Sequence, residues 1–288
     1  MPIRRPLLWL LAAVILVGST ALHAGDRHFL WQLEGPRSTV YLLGSVHALR
    51  PDDYPPADPI EQAFREAGAV VLETALSPEA TGEALTGLGS RKGPGLAEQL
   101  GEKRYDRARE LAERQEIDLA SLSELDPWVA GMVIMQGALR RAGYHPRHGV
   151  DAHFQRRATE AGKPVLTLET PREQLQMLDE LPKELEGAFL LQTLAEVGDL
   201  EAKLDELVAA WKAGRAEAVE RLVMADFDAY PELYQRLAVQ RNRDWLPRIA
   251  GFAEDRRDYL VVVGAAHLVG NQGLVALLRE RGYTVTQQ

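Results

Sequence analysis

The chain has 288 residues and not one cysteine. No disulfide can staple the fold and no lipobox cysteine can carry a lipid anchor, so stability must come from the packed core. There is no P-loop, no Gly-x-Ser-x-Gly elbow and no His-Glu-x-x-His, so three common enzyme classes lack their motif. Positive charge is in deficit, with 33 Lys and Arg against 42 Asp and Glu and a formal charge of −9. That balance argues against a nucleic-acid partner held through phosphates. Hydrophobic content is 46%, enough for the large core of one or two domains.

A long apolar run occurs at the start, in residues 7–17, behind Arg4 and Arg5 and ahead of the small residues Ser19, Ala21 and Ala24. This is the pattern of a secretory signal peptide, with cleavage expected after Ala24 or Ala21. The run is short for a bilayer span, so no stable membrane span is expected after cleavage. We therefore read residues 1–24 as signal and 25–288 as a single domain, periplasmic or secreted. Losing the two arginines takes the formal charge from −9 to −11.

From residue 29 the pattern alternates strands and helices. Residues 29–33 and 39–43, separated by Gly35-Pro36-Arg37-Ser38, read as a β-hairpin. A proline-rich loop follows, then a helix punctuated by Asp58 as N-cap, Pro59, Glu61 and a closing Gly68. Ala69-Val70-Val71-Leu72 reads as a buried strand, parallel to the hairpin strand through a crossover. Residues 82–95 look like a glycine-rich connection. Asp126-Pro127 opens an apolar helix that is either core or the surface of a homodimer. Pro164-Val165-Leu166-Thr167-Leu168 is another strand, 171–255 is almost wholly helical, and Tyr259-Leu260-Val261-Val262-Val263 and Tyr283-Thr284-Val285 are the last strands. The fold class is α/β: a central mixed β-sheet flanked by helices, with a largely helical insertion, about 171–255, before the last strands.

Chemistry concentrates at the strand ends. Tyr41-Leu42-Leu43-Gly44-Ser45-Val46-His47 and Leu260-Val261-Val262-Val263-Gly264-Ala265-Ala266-His267 are both apolar runs ending in Gly-x-x-His. Leu72-Glu73-Thr74 and Leu168-Glu169-Thr170 both place a glutamate just past a strand. One such ending is common by chance; four in one chain suggest a shared site, since open α/β sheets gather ligands at the carboxyl ends of their strands. Imidazoles and carboxylates together suit a divalent metal such as Mn, Co or Zn, which would activate water for hydrolysis. Without a metal, a histidine and a carboxylate still make a general base and its orienter. The glycine would turn the chain or admit a close approach. Thr170 and Glu173 are most simply a capping box. Arg241 is either one member of a solvated helix face or a cation for a substrate carboxylate or oxyanion. His145, His148 and His153 cluster in sequence, but Pro146 and Gly149 break the spacing a metal or haem site would want.

These motifs, with Gly149-Val150-Asp151, Glu173-Gln174 and Arg241-Asn242, resemble the TraB/GumN family, whose relatives include the Tiki metalloproteases. The resemblance spans the chain after the signal segment. It implies an erythromycin-esterase/ChaN-like α/β fold and, by analogy with Tiki, metal-dependent peptide cleavage through the paired Gly-x-x-His motifs, a glutamate and an arginine. Those roles fall on His47, His267, Glu73 and Arg241. This chain is shorter than Tiki proteins and lacks their membrane tail, so the substrate does not carry over. The reading is an exported divalent-metal-dependent hydrolase, most simply a peptidase, acting on a peptide or small molecule. His47, Glu73 and His267 are its metal ligands, Glu169 a fourth ligand or general base, and Arg241 the substrate cation. The alternatives are a non-catalytic peptide- or haem-binding protein and a metal-independent esterase with histidine as base.

Overall fold

The computed structural model describes residues 27–53, 56–88, 94–227 and 229–288. The segment read as a signal peptide lies outside the described residues. Six strands form one sheet: β1 (Leu30–Glu34), β2 (Thr39–Ser45), β3 (Ala69–Leu72), β4 (Val165–Thr167), β5 (Tyr259–Gly264) and β6 (Thr284–Gln287). Their spatial order is β4-β3-β5-β2-β1-β6. β2, β5, β3 and β4 run parallel, whereas β1 is antiparallel to both β2 and β6. The sheet is therefore mixed, with helices around it, as the strand and helix pattern predicts.

The two inner parallel strands β3 and β5 are apolar runs because both faces are covered. Every residue of β3 and β5 is buried. Together with Val40, Leu42 and Leu43 of β2 they form the centre of the largest apolar cluster. β2 and β3 flank β5 and do not pair directly. The crossover pair read from sequence is parallel but is completed by a strand nearly 190 residues further on, which no local pattern could reveal.

Four parallel strands ending at one edge bring Ser45, Leu72, Thr167 and Gly264 out along one rim, Leu72 and Thr167 two residues of register short of Ser45 and Gly264. Ser45 is registered with Gly264, Leu72 with Val262 and Thr167 with Leu72. Every strand-end residue singled out in the sequence therefore emerges along the same rim.

Between β4 and β5 the chain is helical, from Pro171–Asp179 to Arg241–Ala253. The last of these helices is entered through a π-helical turn, Gln235–Gln240. Such turns change helical phase by a residue and often occur at functional sites; this one ends immediately before Arg241. Thr170 makes the expected capping box with Glu173. Asp58, by contrast, lies in the first turn of Asp58–Glu66, behind an Ala57 N-cap. The glycine-rich connection is in part a helix, Pro78–Leu88. The apolar helix Pro127–Arg141 buries Trp128, Ala130, Ile134 and Ala138 and packs on Lys183–Glu196, so its apolar side is used inside the chain. Among the described residues no helix is long and apolar enough to cross a membrane.

Candidate functional site

Gly264, at the end of β5, is the geometric centre of the rim. A Cβ placed on it would stand 3.0 Å from His47 Nε2, 3.2 Å from Glu73 Oε1 and 3.5 Å from His267 Cδ2. Its backbone φ of −50° is open to any residue, so glycine is required here for close approach and not for a left-handed turn. The same holds at Gly44, where a Cβ would meet the Phe29 ring at 2.2 Å. The Gly44 carbonyl in turn accepts a hydrogen bond from Trp211 Nε1 at 2.6 Å. The glycine read from sequence as a possible turn is a space-maker in both motifs.

Glu73, fully enclosed, accepts from the Gly264 N–H at 2.6 Å through Oε1 and from Arg241 Nη2 at 2.5 Å through Oε2. Arg241 also grips Glu169 with Nη2 at 2.7 Å and Nε at 3.2 Å. Its Nη1 reaches the Leu237 carbonyl and His267 Nε2, both at 3.0 Å. A guanidinium has five N–H donors, and these five contacts use them all. The ring of Trp245 covers the guanidinium, 4.5 Å from Cζ to the ring centroid. Arg241 is thus the hub of the network, and both oxygens of Glu169 are committed to it. A cleft of about 490 Å³ opens beside them, lined by Glu169, Arg241, Trp245, Met177 and Gln240.

The two histidines are anchored alike at Nδ1. His47 Nδ1 meets Asp151 Oδ2 at 2.9 Å, and Ser45 Oγ donates to the other oxygen of Asp151 at 2.9 Å. His267 Nδ1 donates to Asn242 Oδ1 at 2.7 Å, and Asn242 Nδ2 donates to the Gln272 carbonyl at 2.8 Å. Their surroundings differ. The His47 side chain is 64% exposed and that of His267 is 6% exposed. The Asp151 carboxylate raises the His47 pKa to about 9, against the opposing pull of partial desolvation. Burial, with the positive charges of Arg241 and His47, pushes His267 down to about 3. Burial opposes the ionisation of Glu73, but His267, Arg241, His47 and the Gly264 N–H outweigh it and hold the carboxyl down to about 2. Burial shifts Glu169 upward.

All five site residues read from sequence therefore meet at one rim. Two further residues complete the arrangement. Asp151 reads in sequence as an ordinary acidic residue of a helix first turn; it is buried and faces His47. Asn242 sits next to Arg241, and only its complete burial distinguishes it from a polar helix residue. His145, His148 and His153 lie elsewhere: His145 accepts from the Arg147 N–H, and His148 and His153 are each hydrogen-bonded to an arginine side chain.

Whether a divalent ion fits is decided by how the donors are used. Both imidazoles have the Nδ1 partner that metal-bound histidines need. Yet His267 Nε2 and both glutamates are engaged by the guanidinium, which already supplies the positive charge. Among the described residues no group of three or more His, Asp or Glu is arranged to hold a metal ion. As placed, these residues do not form a metal cage, and an ion at the predicted ligands would have to displace Arg241.

No solved structure matches the chain. It is 25% identical over 255 residues to the uncharacterized protein YbaP of Escherichia coli K12, covering 88% of this chain and 89% of that protein. The YbaP of Shigella flexneri is also 25% identical, over 88% of this chain and 94% of that protein. An uncharacterized protein of Treponema pallidum is 23% identical over 280 residues, 91% of this chain and 83% of that protein. The TraB/PrgY/gumN family model matches residues 29–287, from the first strand to the last and across every strand end at the rim, and the chain belongs to that family.

Proposed function

We propose that this protein is an exported hydrolase of peptide or other small acyl substrates, with His47 as its acid–base group. The observation that carries this reading is the solvent-facing imidazole of the two at the rim, held by a buried carboxylate and standing beside a buried cation network at the carboxyl edge of a parallel sheet. His47 Nε2 would take a proton from water as it attacks the substrate carbonyl and would return that proton to the leaving group. Asp151 fixes the ring through Nδ1 and favours its charged form. Arg241, with no N–H to spare, would act through its field on the developing oxyanion and not as a direct clamp. His267, Glu73 and Glu169 hold the guanidinium in place. Export rests on the sequence pattern of residues 1–24.

A pH–rate profile on ester and peptide panels tests the scheme. As a base His47 must lose its proton, so the rate should climb towards pH 9. His47→Gln should cost about 10²–10⁴-fold. Full activity in that variant would sink the proposal.

The metal-dependent reading keeps one specific observation in its favour, the matched Nδ1 partners of the two imidazoles. Elemental analysis of purified protein, with His47→Ala and His267→Ala beside it, separates the two. Stoichiometric Mn, Co or Zn lost in both variants would favour the metal reading. Its absence after loading, with hydrolysis intact, would leave the imidazole alone.

A further inference from the structure

Away from the rim, one stretch gathers positive charge within a chain that is acidic as a whole. Residues 140–157 carry five arginines and three histidines, and their one acid, Asp151, is buried against His47. The fold shapes part of this stretch into a concave surface of about 520 Å³. It is lined by Arg147, His148, His153, Arg156 and Arg157, with Glu61 as the only carboxylate among its described lining residues. Glu61 is taken up by Arg157, whose guanidinium also stacks over the Phe64 ring at 4.4 Å. Arg156 has its nearest carboxylate, Glu160, at 3.9 Å, and Arg147 has no carboxylate partner among the described residues.

The arginines are held instead by imidazoles. Arg147 Nε donates to His148 Nε2 at 3.0 Å, and Arg156 Nη2 lies 3.3 Å from His153 Nδ1. Accepting from arginine requires a neutral ring. Burial, aided by Arg157 and Arg156, keeps His153 neutral by lowering its pKa to about 4. A neutral His153 orients the Arg156 guanidinium without cancelling its charge. Three guanidinium groups lining one cleft with one internal counterion form an arrangement suited to an oxyanion, whose several acceptor oxygens match the N–H groups these arginines keep beyond their His148, His153 and Glu61 contacts.

We propose that this cleft is a binding site for a small oxyanion, a phosphate or sulfate group carried by a soluble molecule, separate from the hydrolase rim and independent of that reading. Arg147 and Arg156 are its principal ligands and Arg157 its fixed wall.

Titration with inorganic phosphate by calorimetry, at constant ionic strength in chloride, tests it. The wild type should show saturable binding, and Arg147→Ala/Arg156→Ala should weaken it about tenfold or more. Both side chains are exposed, and the charge-matched pair Arg107→Ala/Arg109→Ala on the helix Glu102–Arg114 serves as control for net charge. Unchanged affinity in that control, with loss in the cleft variant, supports the site. Equal weakening in both, no saturable binding in the wild type, or binding to phosphatidylglycerol vesicles without binding to free phosphate would each overturn it.

Discussion

His47 and His267 leave neighbouring parallel strands, each three residues past a glycine and each with Nδ1 hydrogen-bonded, yet they end in opposite states. His47 faces solvent beside a carboxylate and is charged at neutral pH. His267 is enclosed beside a guanidinium, backed by an amide and the Trp245 ring, and stays neutral. The difference lies in burial and in the partner: His267 is enclosed and His47 is not, and Asp151 adds a negative charge behind one ring where Asn242 offers a neutral oxygen behind the other. Two copies of one short motif thus divide the labour, one imidazole free to exchange protons and one built into the scaffold that holds Arg241.

The largest effect should come from the scaffold half. Arg241→Ala leaves Glu73 and Glu169 enclosed without their counterion and should cost about 3–5 kcal/mol in urea unfolding. Arg241→Lys should restore little, because an ammonium has three donors where five are used. A loss near zero for the alanine variant would mean that the network is solvated and the contrast between the halves is false.

Acid comes next. Glu73 has its folded pKa depressed from 4.5 to about 2, so its contribution is complete above about 4.5 and fades as the pH falls towards 2. Stability measured over pH 2–6 should therefore drop more steeply in the wild type than in Glu73→Gln. Parallel curves would remove Glu73 from the account.

Asn242→Leu strands the buried N–H of His267 and should cost about 1–3 kcal/mol. Asn242→Asp should turn His267 into a charged ring resembling His47, visible by NMR as a histidine whose titration moves up. If its shifts do not move, the partner residue does not set the contrast.

The smallest stability change belongs to the open half, where His47→Gln takes the cation from Asp151 but leaves a polar side chain at a largely exposed position, and should cost about 1 kcal/mol below pH 6.5, a small change beside its predicted effect on hydrolysis. Because the folded pKa of His47 is raised from 6.5 to about 9, its pairing with Asp151 stabilises fully below 6.5 and is lost as the pH rises through 9. Asp151→Asn should bring the midpoint back towards 6.5, and a midpoint that remains near 9 would show that Asp151 is not its cause.

Much of this was legible beforehand. The apolar runs predicted strands because parallel strands covered on both faces must be apolar throughout, and a residue just past such a run must emerge at the sheet edge. His47, Glu73, Glu169 and His267 were accessible to that reasoning, and Arg241, a candidate left open between a solvated face and a substrate cation, was given its role by the family resemblance. Asp151 and Asn242 carried no assigned role because a helix first-turn acid and a mid-helix amide look alike whether they face water or an imidazole. Glu169, read as a fourth ligand or general base, has both of its oxygens held by Arg241, a contact between residues 72 positions apart that no local pattern shows.

Sequence alone determined the residue types and the strand ends from which they leave, because hydrophobic runs and glycine breaks are local properties of the chain. Only the tertiary structure decided that β5 slots between β2 and β3, and that a π-helical turn leads into Arg241 at the centre of the rim. It also decided which imidazole is wet. Burial and hydrogen-bond partners remote in sequence, 104 residues away for His47 and 25 for His267, set the charge of each group, and no local pattern encodes them.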